Sequence, residues 1–105
     1  MALRRYLVQY LRMKGAEVAE AGSLAEATTL LDRHDFDAVV LDVGLPDGDG
    51  LELLDRSPPE RALVITATPD PARFERRGVL HHLTKPLDLP EFGREVHTLA
   101  GAMAD

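Results

Sequence analysis

The chain is expected to be α/β, a parallel sheet with helices on both faces, and three observations carry that expectation. Stretches with a helical apolar period alternate with short apolar runs. Residues 38–43 and 62–66 are nearly continuous apolar runs, the pattern of strands covered on both faces. With 105 residues, 45% of them hydrophobic, the chain suits a single domain spanning 1–105, which at this size hides roughly two-thirds of its unfolded surface.

Each element follows in order. Leu3, Leu7 and Leu11 recur every four residues beside Tyr6, Tyr10 and Met13, so the chain opens on an amphipathic helix that Gly15 ends in a left-handed cap. Residues 16–21 are expected as a short strand. Ser23-Leu24-Ala25-Glu26 is a capping box that opens a second helix through Leu30 and Leu31 to about His34. After the strand at 38–43 come a short helix at 51–56, the buried strand at 62–66, a brief helix at 71–77, a weaker strand at 79–84, and a final amphipathic helix at 89–103. Ser57-Pro58-Pro59 and Pro69-Asp70-Pro71 read as loops.

Composition narrows the function. Twelve Lys and Arg against eighteen Asp and Glu give a net charge of −6 with no basic cluster, which disfavours direct nucleic-acid contact. The chain has no cysteine, hence no disulfide or thiolate metal site, and fits a reducing, cytoplasmic setting. No apolar run approaches the roughly 20 residues that span a bilayer, and the N-terminal segment carries Arg4 and Arg5 inside a helical pattern without the apolar core of a signal peptide.

In parallel sheets, ligands sit beyond the carboxyl ends of the strands. Asp42, Thr66 and Lys85 stand at three successive strand ends, so a carboxylate, a hydroxyl and an ammonium should converge on one edge. A carboxylate beside Lys85 stays ionised and is available as a nucleophile or cation ligand. Taken singly the three have plainer readings: a turn cap, a β-branched strand residue and a solvated charge. Asp47-Gly48-Asp49-Gly50 suggests a calcium loop, but Leu45 stands where the first ligand belongs and Arg56 where the closing Glu belongs, which leaves a polar turn. His81 and His82, adjacent on a strand, point to opposite faces and cannot share an ion, so one is expected in the core and one at the surface.

The segments L-D-V-G-L-P-D-G-D-G-L-E-L-L, V-I-T-A-T and L-T-K-P, in that order, resemble the receiver domain of two-component response regulators over essentially the whole chain. The resemblance implies a receiver-like, flavodoxin-like fold. It implies that Asp42 accepts a phosphoryl group from a histidine kinase or phosphotransfer protein, that Thr66 reorients towards the phosphoryl oxygens and that Lys85 pairs with them. The Lys85-Pro86 peptide would be cis, and Asp42 with the Gly44 carbonyl would contact Mg²⁺. Such a protein is a phosphoryl acceptor, not an enzyme, and acts through a downstream partner or self-association, with residues 68–77, 79–83 and the final helix as the contact surface.

Two departures stand out. The family opens with a strand ending in an acidic Mg²⁺-binding pair, whereas Met1-Ala2-Leu3-Arg4-Arg5 already matches the first helix, so the first strand is missing and the metal site incomplete. That strand is central in the order 2-1-3-4-5. Either the start lies later than the true one, another chain fills the gap, or, as favoured, residues 16–21 slide over to pair with 38–43 and give 2-3-4-5. His82 stands where an aromatic switch residue is expected, and the stretch from Thr66 to Lys85 is a few residues short. The competing readings are a non-phosphorylated pseudo-receiver binding module and, more distantly, an aspartate-dependent phosphatase, whose second Asp is replaced by Gly44.

Overall fold

The computed structural model describes residues 2–68 and 70–104. Helices α1 (Ala2–Met13) and α2 (Leu24–Arg33) precede strand β1 (Val39–Asp42) and a small hairpin of β2 (Gly44–Leu45) and β3 (Gly48–Asp49). Two 3-10 helices (Gly50–Asp55 and Pro59–Arg61) lead into β4 (Ala62–Thr66), followed by α3 (Pro71–Arg76), β5 (His81–Thr84) and α4 (Leu89–Ala104). β1, β4 and β5 form a parallel sheet in that order, with Val40 opposite Leu63 and Leu63 opposite His81.

Strand alternation divides the core in two. Val39, Leu41, Ala62 and Val64 face one way, with Leu51, Leu54 and Phe74 and, from α2, Leu24, Ala27 and Leu31. Ala38, Val40, Leu63 and Ile65 face the other, with Leu7 of α1 and Phe92 and Leu99 of α4. α1 and α2 therefore lie on opposite faces. No helix among the described residues is long and apolar enough to cross a membrane.

Local sequence explains the helix ends. Gly15 takes φ +95°, and the Gly15 and Ala16 amides donate to the Arg12 and Leu11 carbonyls at 3.0 and 3.1 Å, the two bonds of a Schellman cap. Ser23 caps α2 by accepting from the Glu26 amide at 3.2 Å, but Glu26 answers at the Ser23 hydroxyl rather than its backbone, so only half of the expected box forms. The reciprocal box instead forms at Asp49 and Glu52, ahead of the helix expected at 51–56, which is a 3-10 helix over Gly50–Asp55.

The main correction concerns residues 16–21. They form no strand, and the sheet does not take the order 2-3-4-5; the connection runs from α1 on one face to α2 on the other without joining the sheet. Only Val18 in Ala-Glu-Val-Ala-Glu-Ala is β-branched. Side chains of α1 hold the segment instead: Arg12 donates to the Val18 carbonyl at 3.1 Å and Arg4 pairs with Glu20 at 3.3 Å. Among the described residues, no strand pairs with the outer edge of β1. The accessible surface, 6523 Å², exceeds by about 700 Å² the value usual for this mass. The radius of gyration, 12.7 Å, is ordinary for the length, so the excess reflects open surface rather than an elongated shape.

Candidate functional site

Asp42 ends β1, Thr66 ends β4 and Lys85 directly follows β5, so the parallel register brings all three to one edge of the sheet. Lys85 donates from Nζ to Asp42 Oδ2 at 2.6 Å, a charge-assisted contact between side chains that are each about one-quarter exposed. Its backbone amide donates to the Thr66 carbonyl at 2.8 Å, which fixes the root of the side chain against β4. The Lys85-Pro86 bond is cis, as the resemblance implied.

The second Asp42 oxygen accepts from the Gly44 amide at 3.0 Å. Asp42 is thus both the turn cap of the plainer reading and the partner of Lys85. Gly50 completes the frame: its amide donates to the Val43 carbonyl at 3.0 Å, and a Cβ there would lie 2.2 Å from the Asp42 carbonyl oxygen. Only glycine permits that approach.

Thr66 is 5% exposed and its hydroxyl is engaged locally, donating to the Thr68 carbonyl and accepting from the Thr68 amide, both at 3.1 Å. It makes no hydrogen bond to Asp42 in this arrangement.

The histidines need a correction. They do face opposite ways, but neither is in the core. His81 bonds Glu95 at 2.9 Å, while exposed His82 lies 5.2 Å from the Phe74 ring. β5 is the outer strand of the sheet, which leaves His82 beside Phe74 rather than beneath it.

Asp47, expected as a turn residue, also reaches α2. It accepts from the Leu24 and Ala25 amides at 2.7 and 3.2 Å, and these bonds, Leu24's first, hold its carboxyl below the usual aspartate range. Arg73 of α3 pairs with Asp49 at the other side of the hairpin. Neither link was legible locally, since the partners lie more than twenty residues apart.

The donors for a Mg²⁺ ion are few. Among the described residues no three His, Cys, Asp or Glu side chains gather at a common point. Asp42 already has one oxygen on Lys85 and one on Gly44. Octahedral Mg²⁺ usually draws on one or two carboxylates that are open to it, so the residues present do not fit the ion.

The chain is similar to several known proteins. The chain is 40% identical over 86 residues to the DNA-binding transcriptional activator DevR/DosR of Mycobacterium tuberculosis, a match spanning 75% of this chain and 40% of that protein. A CheY-like receiver domain protein from Methanospirillum hungatei superposes with a TM-score of 0.87 at 21% identity, covering 98% of this chain and 88% of that one. The receiver domain of a Pseudomonas aeruginosa sensor histidine kinase, solved with magnesium coordinated in its active site cleft, gives 0.79 at 21% identity, covering 96% and 91%. With residues 1–97 matching the family profile as well, the chain belongs to the response regulator receiver domain family.

Proposed function

We propose that Asp42 is the phosphoryl acceptor of a two-component relay, receiving the group from a histidine kinase or phosphotransfer protein. The observation that carries this reading is the 2.6 Å contact between Lys85 Nζ and Asp42 Oδ2 at the carboxyl edge of a parallel sheet. Phosphoryl transfer needs little covalent assistance beyond alignment and charge neutralisation. An Asp42 oxygen bonds to phosphorus as the phosphorus–nitrogen bond of the donor histidine breaks, and the electron pair leaves with the imidazole. Lys85 then follows the negative charge from the carboxylate to the phosphoryl oxygens. Thr66 exchanges its bonds to Thr68 for one to the same group. No step is routed through a metal, because Asp42 and the Gly44 carbonyl alone do not make a fitting site.

The chain then acts as a switchable binding partner rather than a catalyst, in the cytoplasm and without contacting nucleic acid or membrane itself. Support for a protein-facing surface comes from Leu80, 72% exposed between α3 and β5. The test is intact mass after incubation with acetyl phosphate and Mg²⁺, with Asp42→Asn alongside. A phosphoryl-sized gain that the variant lacks is expected. A folded protein that gains nothing is instead a pseudo-receiver.

A further inference from the structure

We infer that Asp47 is a positioning residue for the acceptor loop, tying the tip of the β2–β3 hairpin to the start of α2 and so holding the backbone that aims Asp42. The inference rests on the reading of Asp42 as acceptor.

The first amides of a helix have no partner within it. In α2, Ser23 satisfies only the amide of Glu26. The two it leaves, Leu24 and Ala25, are taken by the two oxygens of Asp47, a carboxylate at the positive end of the helix. A cap drawn from 23 residues away, where a local one would have served, joins two elements that the sheet does not connect.

The contact is also steric. Gly48 has φ +154°, and a Cβ there would lie 2.4 Å from a methyl carbon of Leu24. The hairpin tip thus rests on the first residue of α2, and its positive φ is one that glycine adopts freely.

The loop passes that constraint back to Asp42. Gly44 opposes Asp49 and Leu45 opposes Gly48, the Gly50 amide closes on the Val43 carbonyl, and the Gly44 amide holds one Asp42 oxygen. Two residues to a strand make a weak ladder. The hairpin therefore depends on outside anchors, Asp47 on α2 and Asp49 on Arg73. With the first anchor gone the loop samples other positions, and Asp42 reacts only during the fraction of time it is aligned.

The experiment compares Asp47→Ala, Asp47→Asn and Ser23→Ala in the full chain, by the rate of acetyl-phosphate labelling and by amide hydrogen exchange. Ser23→Ala weakens the same helix end without touching the hairpin. Asp47→Ala is expected to slow labelling about threefold to tenfold and to speed exchange across residues 43–50, as looser alignment predicts. Asp47→Asn, which keeps one acceptor oxygen, recovers part of both. Ser23→Ala lowers the melting temperature and leaves labelling unchanged. Equal slowing by Ser23→Ala, or Asp47→Ala labelling at the wild-type rate, overturns the proposal. If the wild type takes no label, the acceptor reading fails by itself, and exchange decides the rest: faster exchange at 43–50 in Asp47→Ala alone keeps Asp47 as the anchor, and unchanged exchange removes it.

Discussion

β1 and β4 are built from the same kind of residue and lie side by side, yet they differ in surroundings. All five residues of β4 are buried, whereas of the four in β1 only Leu41 is. β4 has a partner on each edge, and β1 has one only on its inner edge among the described residues. An apolar run therefore reports that helices cover both faces of a strand, and says nothing about its edges.

Matched substitutions test that difference. Val64→Ala in β4 is expected to cost about 2–4 kcal/mol, from lost burial and an unfilled cavity. Val40→Ala in β1 should cost about 1 kcal/mol, because the valine is only partly buried and has less burial to lose. Chemical denaturation of both variants is the check. Equal losses would mean that β1 is covered in solution and would end the contrast.

Hydrogen exchange sharpens the comparison. Amides of β4 should exchange only through global unfolding, and those on the outer edge of β1 through local opening, faster by a factor on the order of a hundred or more. Uniform protection of both strands would require a partner on the β1 edge.

The strand ends offer a smaller effect on stability with a large one on function. Asp42→Asn breaks a pair that water partly screens, so it should change stability by about 1 kcal/mol or less while abolishing phosphoryl uptake. A loss as large as that of Val64→Ala would assign Asp42 to the core instead.

The smallest effect concerns Asp47. Its carboxyl titrates lower folded than unfolded, so its contribution is present above the ordinary aspartate value and is lost as pH falls through the folded one. Asp47→Asn should remove a shallow component of acid destabilisation, seen as a smaller drop in melting temperature below about pH 4. An unchanged acid profile would separate Asp47 from α2 in solution.

Asp42 and Thr66 were legible because each closes an apolar run, and a run that stops on a polar residue marks the carboxyl edge of a parallel sheet; Lys85, behind the mixed stretch V-L-H-H-L-T, was legible from the L-T-K-P segment. Gly15 and Ser23 were legible because capping is settled within a few residues. Residues 16–21 were misread because one β-branched residue in six gives them little strand preference, while Arg4 and Arg12 hold the segment to α1. His82 depended on how far Phe74 covers the outer strand. The hold of Asp47 on α2 depended on two parts of the chain meeting after folding, which no local pattern encodes.

The unladdered connection between α1 and α2 also has a mechanical consequence. Among the described residues no backbone ladder ties α1 to the sheet; it is held by side chains, among them Leu7 in one cluster with Leu63 and Ile65, and Tyr10 beside Phe92. A force applied to α1 would break these contacts one after another, whereas a force drawing β1 along β4 would load four residue pairs of the ladder together. The protein should resist tension strongly along the sheet and yield readily at its first helix, so its strength depends on where it is held.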